Sequence, residues 1–87
     1  LRPSIGAQVS RACALAAAQG PAVGLQALDS IDAERVASYQ PYWAARAHLL
    51  GADGQIDAAR AAYARAGGLT SQPAVRAYLE QAARRLG

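Results

Sequence analysis

The sequence predicts an all-α fold built from helical hairpins. Three observations carry this: apolar residues recur at helical spacing, Gly and Pro punctuate them at regular intervals, and the chain resembles itself after a shift of 35 residues. No stretch shows the sustained period-two alternation of a half-buried strand.

The first helix is expected over about residues 4–19, with Ile5, Val9, Ala12 and Ala16 on one face. Gly20-Pro21 ends it and starts the next, because Gly tolerates the C-terminal cap and Pro suits the first helical position. The second helix covers about 22–31, with Gly24, Leu28 and Ile31 inward. From Asp32 to Gln40 the pattern weakens, which fits a loop or a short helical turn. Pro41 opens a third helix over about 41–52 with Trp43, Ala47 and Leu50 on one stripe, and Asp53-Gly54 turns the chain. The fourth, about 55–67, places Ile56, Ala59, Tyr63 and Ala66 inward and Arg60 and Arg65 outward, ending at Gly67-Gly68. Ser71 is the expected cap of a fifth helix over about 72–86, with Pro73 in its first turn and Val75, Leu79, Ala82 and Leu86 as its apolar face.

Composition sets the scale of the core. A chain of 87 residues has room for one domain, residues 1–87, and buries only about 60–65% of its unfolded surface. Alanine supplies 24 residues while Phe and Met are absent, so the core is thin and the helices pack closely. All nine basic residues are Arg, and the net charge of +3 has no run longer than Arg84-Arg85. A nucleic-acid footprint would need a dense basic stripe or a recognised motif, so direct DNA binding is not expected. The single Cys13 excludes an internal disulfide and suits a reducing compartment. No uninterrupted apolar stretch of about 18 residues occurs, and Leu1-Arg2-Pro3-Ser4 leads straight into an amphipathic pattern without a signal peptide. A cytoplasmic domain without membrane contact is therefore expected. The absence of an initiator Met suggests a piece of a longer protein.

The 35-residue shift lays Arg11-Ala12 on Arg46-Ala47, Leu15 on Leu50, Gly24 on Ala59, Ala27 on Ala62 and Leu28 on Tyr63. Small residues fall on small ones and bulky on bulky. The second unit reads Trp43, Ala47, Leu50, Gly54, Ala59, Tyr63 and Ala66, a spacing that resembles the tetratricopeptide pattern, whose helix–turn–helix units repeat at about 34 residues. Arg46 departs from that pattern, which has an apolar residue there, and Gln8 stands where the first unit would carry tryptophan. The resemblance implies a tetratricopeptide-like stack of two repeats closed by a C-terminal capping helix.

Further strings carry a narrower resemblance. They are Ser10-Arg11-Ala12, Gly20 to Leu25 with Leu28-Asp29, Tyr39, Tyr42, Ala44 to Leu50, Ala62-Tyr63, Leu69-Thr70 and Arg76 to Glu80. Together they resemble the C-terminal tetratricopeptide-like extension of a group of bacterial extracytoplasmic-function sigma factors, over nearly the whole chain. Ser10, Val75 and Ala82-Ala83 depart from that group, which has Asn, an acidic residue and arginines there. The resemblance implies a regulatory domain of a transcription initiation factor. It would modulate initiation through contacts with the sigma core, RNA polymerase or a partner protein, a small YCII-like protein being one candidate. The alternative is a peptide-binding adaptor domain of another multidomain protein.

Candidate partner-binding residues are Arg11, Tyr42, Arg46, His48 and Arg76. Arg11, Arg46 and Arg76 each begin an Arg-Ala pair, and on a concave face they would form a ladder for a carboxylate-bearing segment. The preferred reading is plainer: they bond to Asp29, Asp32 or loop carbonyls and pin the stack. His48 is expected in the groove beside Cys13, but one His and one Cys fall short of a zinc site and no acid forms a triad with His48. Trp43 is expected in the core, with Tyr39 or Tyr42 as contact residues. Gly67-Gly68 and Gly51-x-x-Gly54 make no phosphate loop, since no Gly-Lys-Ser/Thr follows. No catalytic residue, metal site or cofactor is expected, and the chain is not expected to be an enzyme. A homodimer in isolation is expected from the apolar end faces of so short a stack.

Overall fold

The computed structural model describes residues 3–86, which form six helices: α1 (Ile5–Gln19), α2 (Pro21–Asp29), α3 (Ala33–Val36), α4 (Gln40–Ala52), α5 (Ile56–Gly68) and α6 (Pro73–Arg84). Leu1, Arg2 and Gly87, included in the expected domain and its leader reading, lie outside the described residues. No strand occurs among the described residues, so the all-α prediction holds.

Local chemistry explains most boundaries. Ser4 caps α1, its Oγ accepting from the Ala7 N–H at 3.0 Å. Gly20 takes a φ of 104° between α1 and α2, and its N–H donates to the Ala16 carbonyl at 2.8 Å. Pro21 then starts α2 at once. Gly54, with φ of 83°, turns the chain between α4 and α5. Ser71 is not the cap of α6. The cap position is Gln72, and the Thr70 hydroxyl accepts its N–H at 3.2 Å instead.

The segment after α2 resolves into α3. Asp32 starts it by accepting the Glu34 N–H at 2.9 Å. A four-residue helix cannot sustain itself, because nucleation costs more than its few hydrogen bonds return. Distant side chains hold its end instead. The Trp43 indole donates to the carbonyls of Val36 (3.0 Å) and Ala37 (3.3 Å), and Arg65 donates to the Ala37 carbonyl at 2.8 Å. At its other side Arg35 donates to Gln8 Oε1 at 3.2 Å and to the Pro3 carbonyl at 3.4 Å, tying α3 to α1.

The helices pack as successive antiparallel neighbours. α1 lies on α2, α4 on α5 and α5 on α6, with α2 and α1 both against α4. Directions follow from contacts near and far from each turn: Gly51 faces Ala59 beside the α4–α5 turn, while Arg65 stacks over Trp43 at the far end. The core runs along this stack through Ala12, Leu28, Val36, Ala47, Ala59, Ala66 and Leu79, each at most 2% exposed. Alanine at four of those seven places is what a thin, closely approached core requires. Gly24 marks the tightest approach. A Cβ there would stand 2.5 Å from Ala16 Cβ, 2.8 Å from the Ala12 carbonyl and 2.9 Å from Leu49 Cδ1. Leu86 returns to α4, where a Cβ on Gly51 would meet its Cδ2 at 2.8 Å. The radius of gyration, 12.4 Å, is close to the roughly 12 Å of a compact globule of this length.

Candidate interaction surfaces

The three arginines border three separate cavities and do not line up in a ladder, the less favoured of the two readings. Arg11 is exposed beside a cavity of about 320 Å³ between α1 and α2, bordered by Gln8, Ala27, Ser30 and Ile31. Arg46 borders one of about 330 Å³ between α4 and α5, with Trp43, Ala58, Ala61 and Arg65. Arg76 borders a cleft of about 370 Å³ between α5 and α6.

Two of the arginines do the pinning that the plainer reading anticipated. Arg46 Nη1 meets Asp29 Oδ1 at 2.7 Å and joins α4 to the end of α2. Partial burial works against its charge, but the Asp29 hydrogen bond, with smaller help from Tyr42 and the Asp29 charge, outweighs this and raises its pKa. Arg76 donates to the carbonyls of Thr70 (2.8 Å) and Gly67 (3.4 Å), fastening the α5–α6 connection.

Tyr42 is not a contact residue. It is 7% exposed, its ring meeting the Trp43 ring edge-on with centroids 5.1 Å apart. Tyr39 is half-buried against the core. Trp43 is itself half-buried rather than enclosed, and Arg65 covers its ring at 4.7 Å from the centroid. Its place is at the junction of the hairpins, where it holds α3. The remaining signature residues Ala47, Leu50, Ala59, Tyr63 and Ala66 are all buried, and Gly54 occupies the turn.

His48 is exposed on α4 and shares a shallow groove of about 270 Å³ with Cys13, Ala16, Pro21, Leu49 and Ala52. The 35-residue overlay of Cys13 on His48 thus corresponds to spatial neighbourhood across the first helices of the two units. Cys13 is a free, exposed thiol. Among the described residues no group of three or more His, Cys, Asp and Glu side chains could hold a metal ion, and no helix is long and apolar enough to cross a membrane.

Sequence reasoning missed Arg65, Arg35 and the Tyr63 hydroxyl. Arg65 was expected only to face outward; its stacking on Trp43 depends on the α4–α5 pairing, which no local pattern encodes. Tyr63 was expected to fill space. It is 8% exposed and lines the α5–α6 cleft, and burial, with the nearby Tyr78 phenol, pushes its ionisation above the ordinary value. No protein-family model, curated protein or solved structure matches the chain.

Proposed function

We propose that the chain is a tetratricopeptide-like protein-interaction domain that regulates an extracytoplasmic-function sigma factor. The observation that carries the interaction reading is the equivalence of places 35 residues apart. Ala12 and Ala47 are both fully buried on the first helix of a hairpin, Gly24 and Ala59 are both buried on the second, and Leu28 and Tyr63 both enter the core. Repeated hairpins that share one core leave helix faces and inter-helix clefts as their working surface.

The sigma-factor part rests on the resemblance of residues 4–86 to the C-terminal extension of that group. Under this reading the domain acts in the cytoplasm and binds the sigma core, RNA polymerase or a small YCII-like protein, without touching DNA itself. It carries no catalytic chemistry. The adaptor reading is favoured by one feature, the groove shared by Cys13 and His48 between α1 and α4, since a peptide lying there would contact the first helix of each hairpin.

The test is transcription in vitro from the cognate promoter by the full-length parent protein and by the same protein lacking this domain. The proposal predicts a several-fold change in initiation on removal, in either direction, and direct binding of the isolated domain to the sigma core or polymerase. Unchanged initiation together with no such binding would contradict it.

A further inference from the structure

We infer that the outer face of α1 is the docking site for a partner α-helix that brings large apolar side chains and ends in a carboxylate. This rests on the protein-interaction reading above and names the surface and the chemistry of the partner.

An interface already inside the molecule supplies the argument. On α4, Tyr42, Arg46 and Leu49 fall on one side of the helix, at spacings of four and three, and this side meets the first hairpin. Arg46 holds Asp29, the last residue of α2, at 2.7 Å. Leu49 lies against Gly24 of α2, where a Cβ would stand 2.9 Å from its Cδ1, and Tyr42 is buried. The same side of α1, 35 residues earlier, carries Ala7, Arg11 and Ala14, and Ala18 continues it by one turn. All four are exposed. Arg11 has no hydrogen-bond or ion-pair partner among the described residues, whereas Arg46 in the equivalent place is paired. The face that α4 buries against a neighbouring hairpin is therefore bare on α1.

Composition separates this face from an ordinary solvated one. At the other end of the stack α6 exposes Arg76, Glu80, Gln81 and Arg84, the polar covering that a terminal helix needs. On α1 three alanines surround one arginine instead. Alanines let a helix approach closely and leave room for leucine-sized side chains, as Gly24 leaves room for Leu49 across the α2–α4 contact. Ala7 and Arg11 also border the cavity of about 320 Å³ between α1 and α2, where one such side chain can enter beside Ala27 and Ile31. The carboxylate follows from the Arg46–Asp29 pair: Arg11, in the equivalent position, meets the last turn of whatever helix packs there, and an acid at that place forms a charge-assisted hydrogen bond. A second copy of this chain does not bring that acid. Asp29 is already held by Arg46, Ala64 stands 35 residues after it, and α6 closes on Ala82, Ala83 and Arg84.

The test selects a displayed library of two-helix hairpins, randomised along the second helix, against the full 87-residue chain. Enriched hairpins are expected to carry Asp or Glu in the last turn of that helix and Leu, Ile or Phe in the turn before it. Arg11→Glu should weaken their binding on the order of tenfold or more, the range of one hydrogen bond between charged groups. Replacing the hairpin's own acid with Lys should restore binding to Arg11→Glu and abolish it for the parent, a reversal that a merely structural arginine would not show. Ala14→Gln, which crowds the face, should weaken binding roughly tenfold, and Ala77→Gln on the exposed side of α6 should leave it within about twofold. Circular dichroism confirms that each variant folds. Hairpins insensitive to both Arg11→Glu and Ala14→Gln would overturn the α1 assignment while leaving a protein-interaction domain. A dimer of the free chain in sedimentation that Ala14→Gln dissociates would overturn it in favour of a second copy. Absence of enrichment would overturn this inference and the interaction reading together.

Discussion

Gly24→Ala adds one methyl group at the point where α1, α2 and α4 meet. The new Cβ would stand 2.5 Å from Ala16 Cβ, against about 3.5–4.0 Å for a favourable carbon contact, so the α1–α2 spacing must grow by about 1 Å. Its second neighbour, the Ala12 carbonyl at 2.8 Å, is helix backbone and cannot rotate away, whereas Leu49 Cδ1 at 2.9 Å can. Overpacking of this kind costs about 1–3 kcal/mol, here about 2–3 because the helix backbone at Ala12 cannot give way, and Ala recovers close to 1 kcal/mol through helix propensity. The net loss is about 1–2 kcal/mol, which lowers Tm by roughly 5–15 °C in a domain of this size. Thermal unfolding followed by far-UV circular dichroism measures it. Gly68→Ala is the control, since its Cβ enters open space, and it should be neutral or stabilising by up to about 1 kcal/mol. A Gly24→Ala protein as stable as the parent would refute the close approach on which the helix stacking rests.

Other perturbations separate the side-chain clamps. Trp43→Phe keeps an aromatic ring but loses the indole donations to Val36 and Ala37; it should cost about 1 kcal/mol and raise hydrogen exchange across α3, read by mass spectrometry. Arg65→Ala uncovers the Trp43 ring and frees the Ala37 carbonyl, so tryptophan emission should shift to the red and stability should fall by about 1 kcal/mol. The Arg46–Asp29 pair is partly exposed, at 26% and 62% for the two side chains, so a double-mutant cycle should return a coupling of about 0.5–1 kcal/mol that shrinks with salt. Tyr63 has its pKa raised in the folded state, so its contribution is fully present below about pH 10 and is lost as pH rises through the folded value. Denaturant unfolding above pH 10 should therefore show a steeper loss of stability for the parent than for Tyr63→Phe, and equal slopes would remove the burial argument.

What could be read from the sequence was what local chemistry decides. Gly20-Pro21, Pro41 and Asp53-Gly54 fixed three boundaries because backbone conformation there depends on the residues themselves. The apolar faces of α1, α2 and α5 were legible from spacing, with Val9, Ala12, Leu28, Ala59 and Ala66 all buried, whereas α2 ends at Asp29 and Ile31, expected on it, is buried in the turn beyond. The α3 helix was not, since its four residues are held by Trp43 and Arg65 from other helices. Nor was the burial of Tyr42, whose neighbour Trp43 carries the larger apolar surface yet stays half exposed because its indole must reach α3. The α5–α6 cleft depends on the angle between two helices, which periodicity does not encode.

The sigma-factor account is tested most directly by reading the coding sequence immediately upstream of Leu1 in the parent gene. The account predicts a helix-turn-helix promoter-recognition domain there, preceded by a helical polymerase-binding domain. Any other neighbouring domain, or none, would contradict it and leave a helical interaction domain with a different partner.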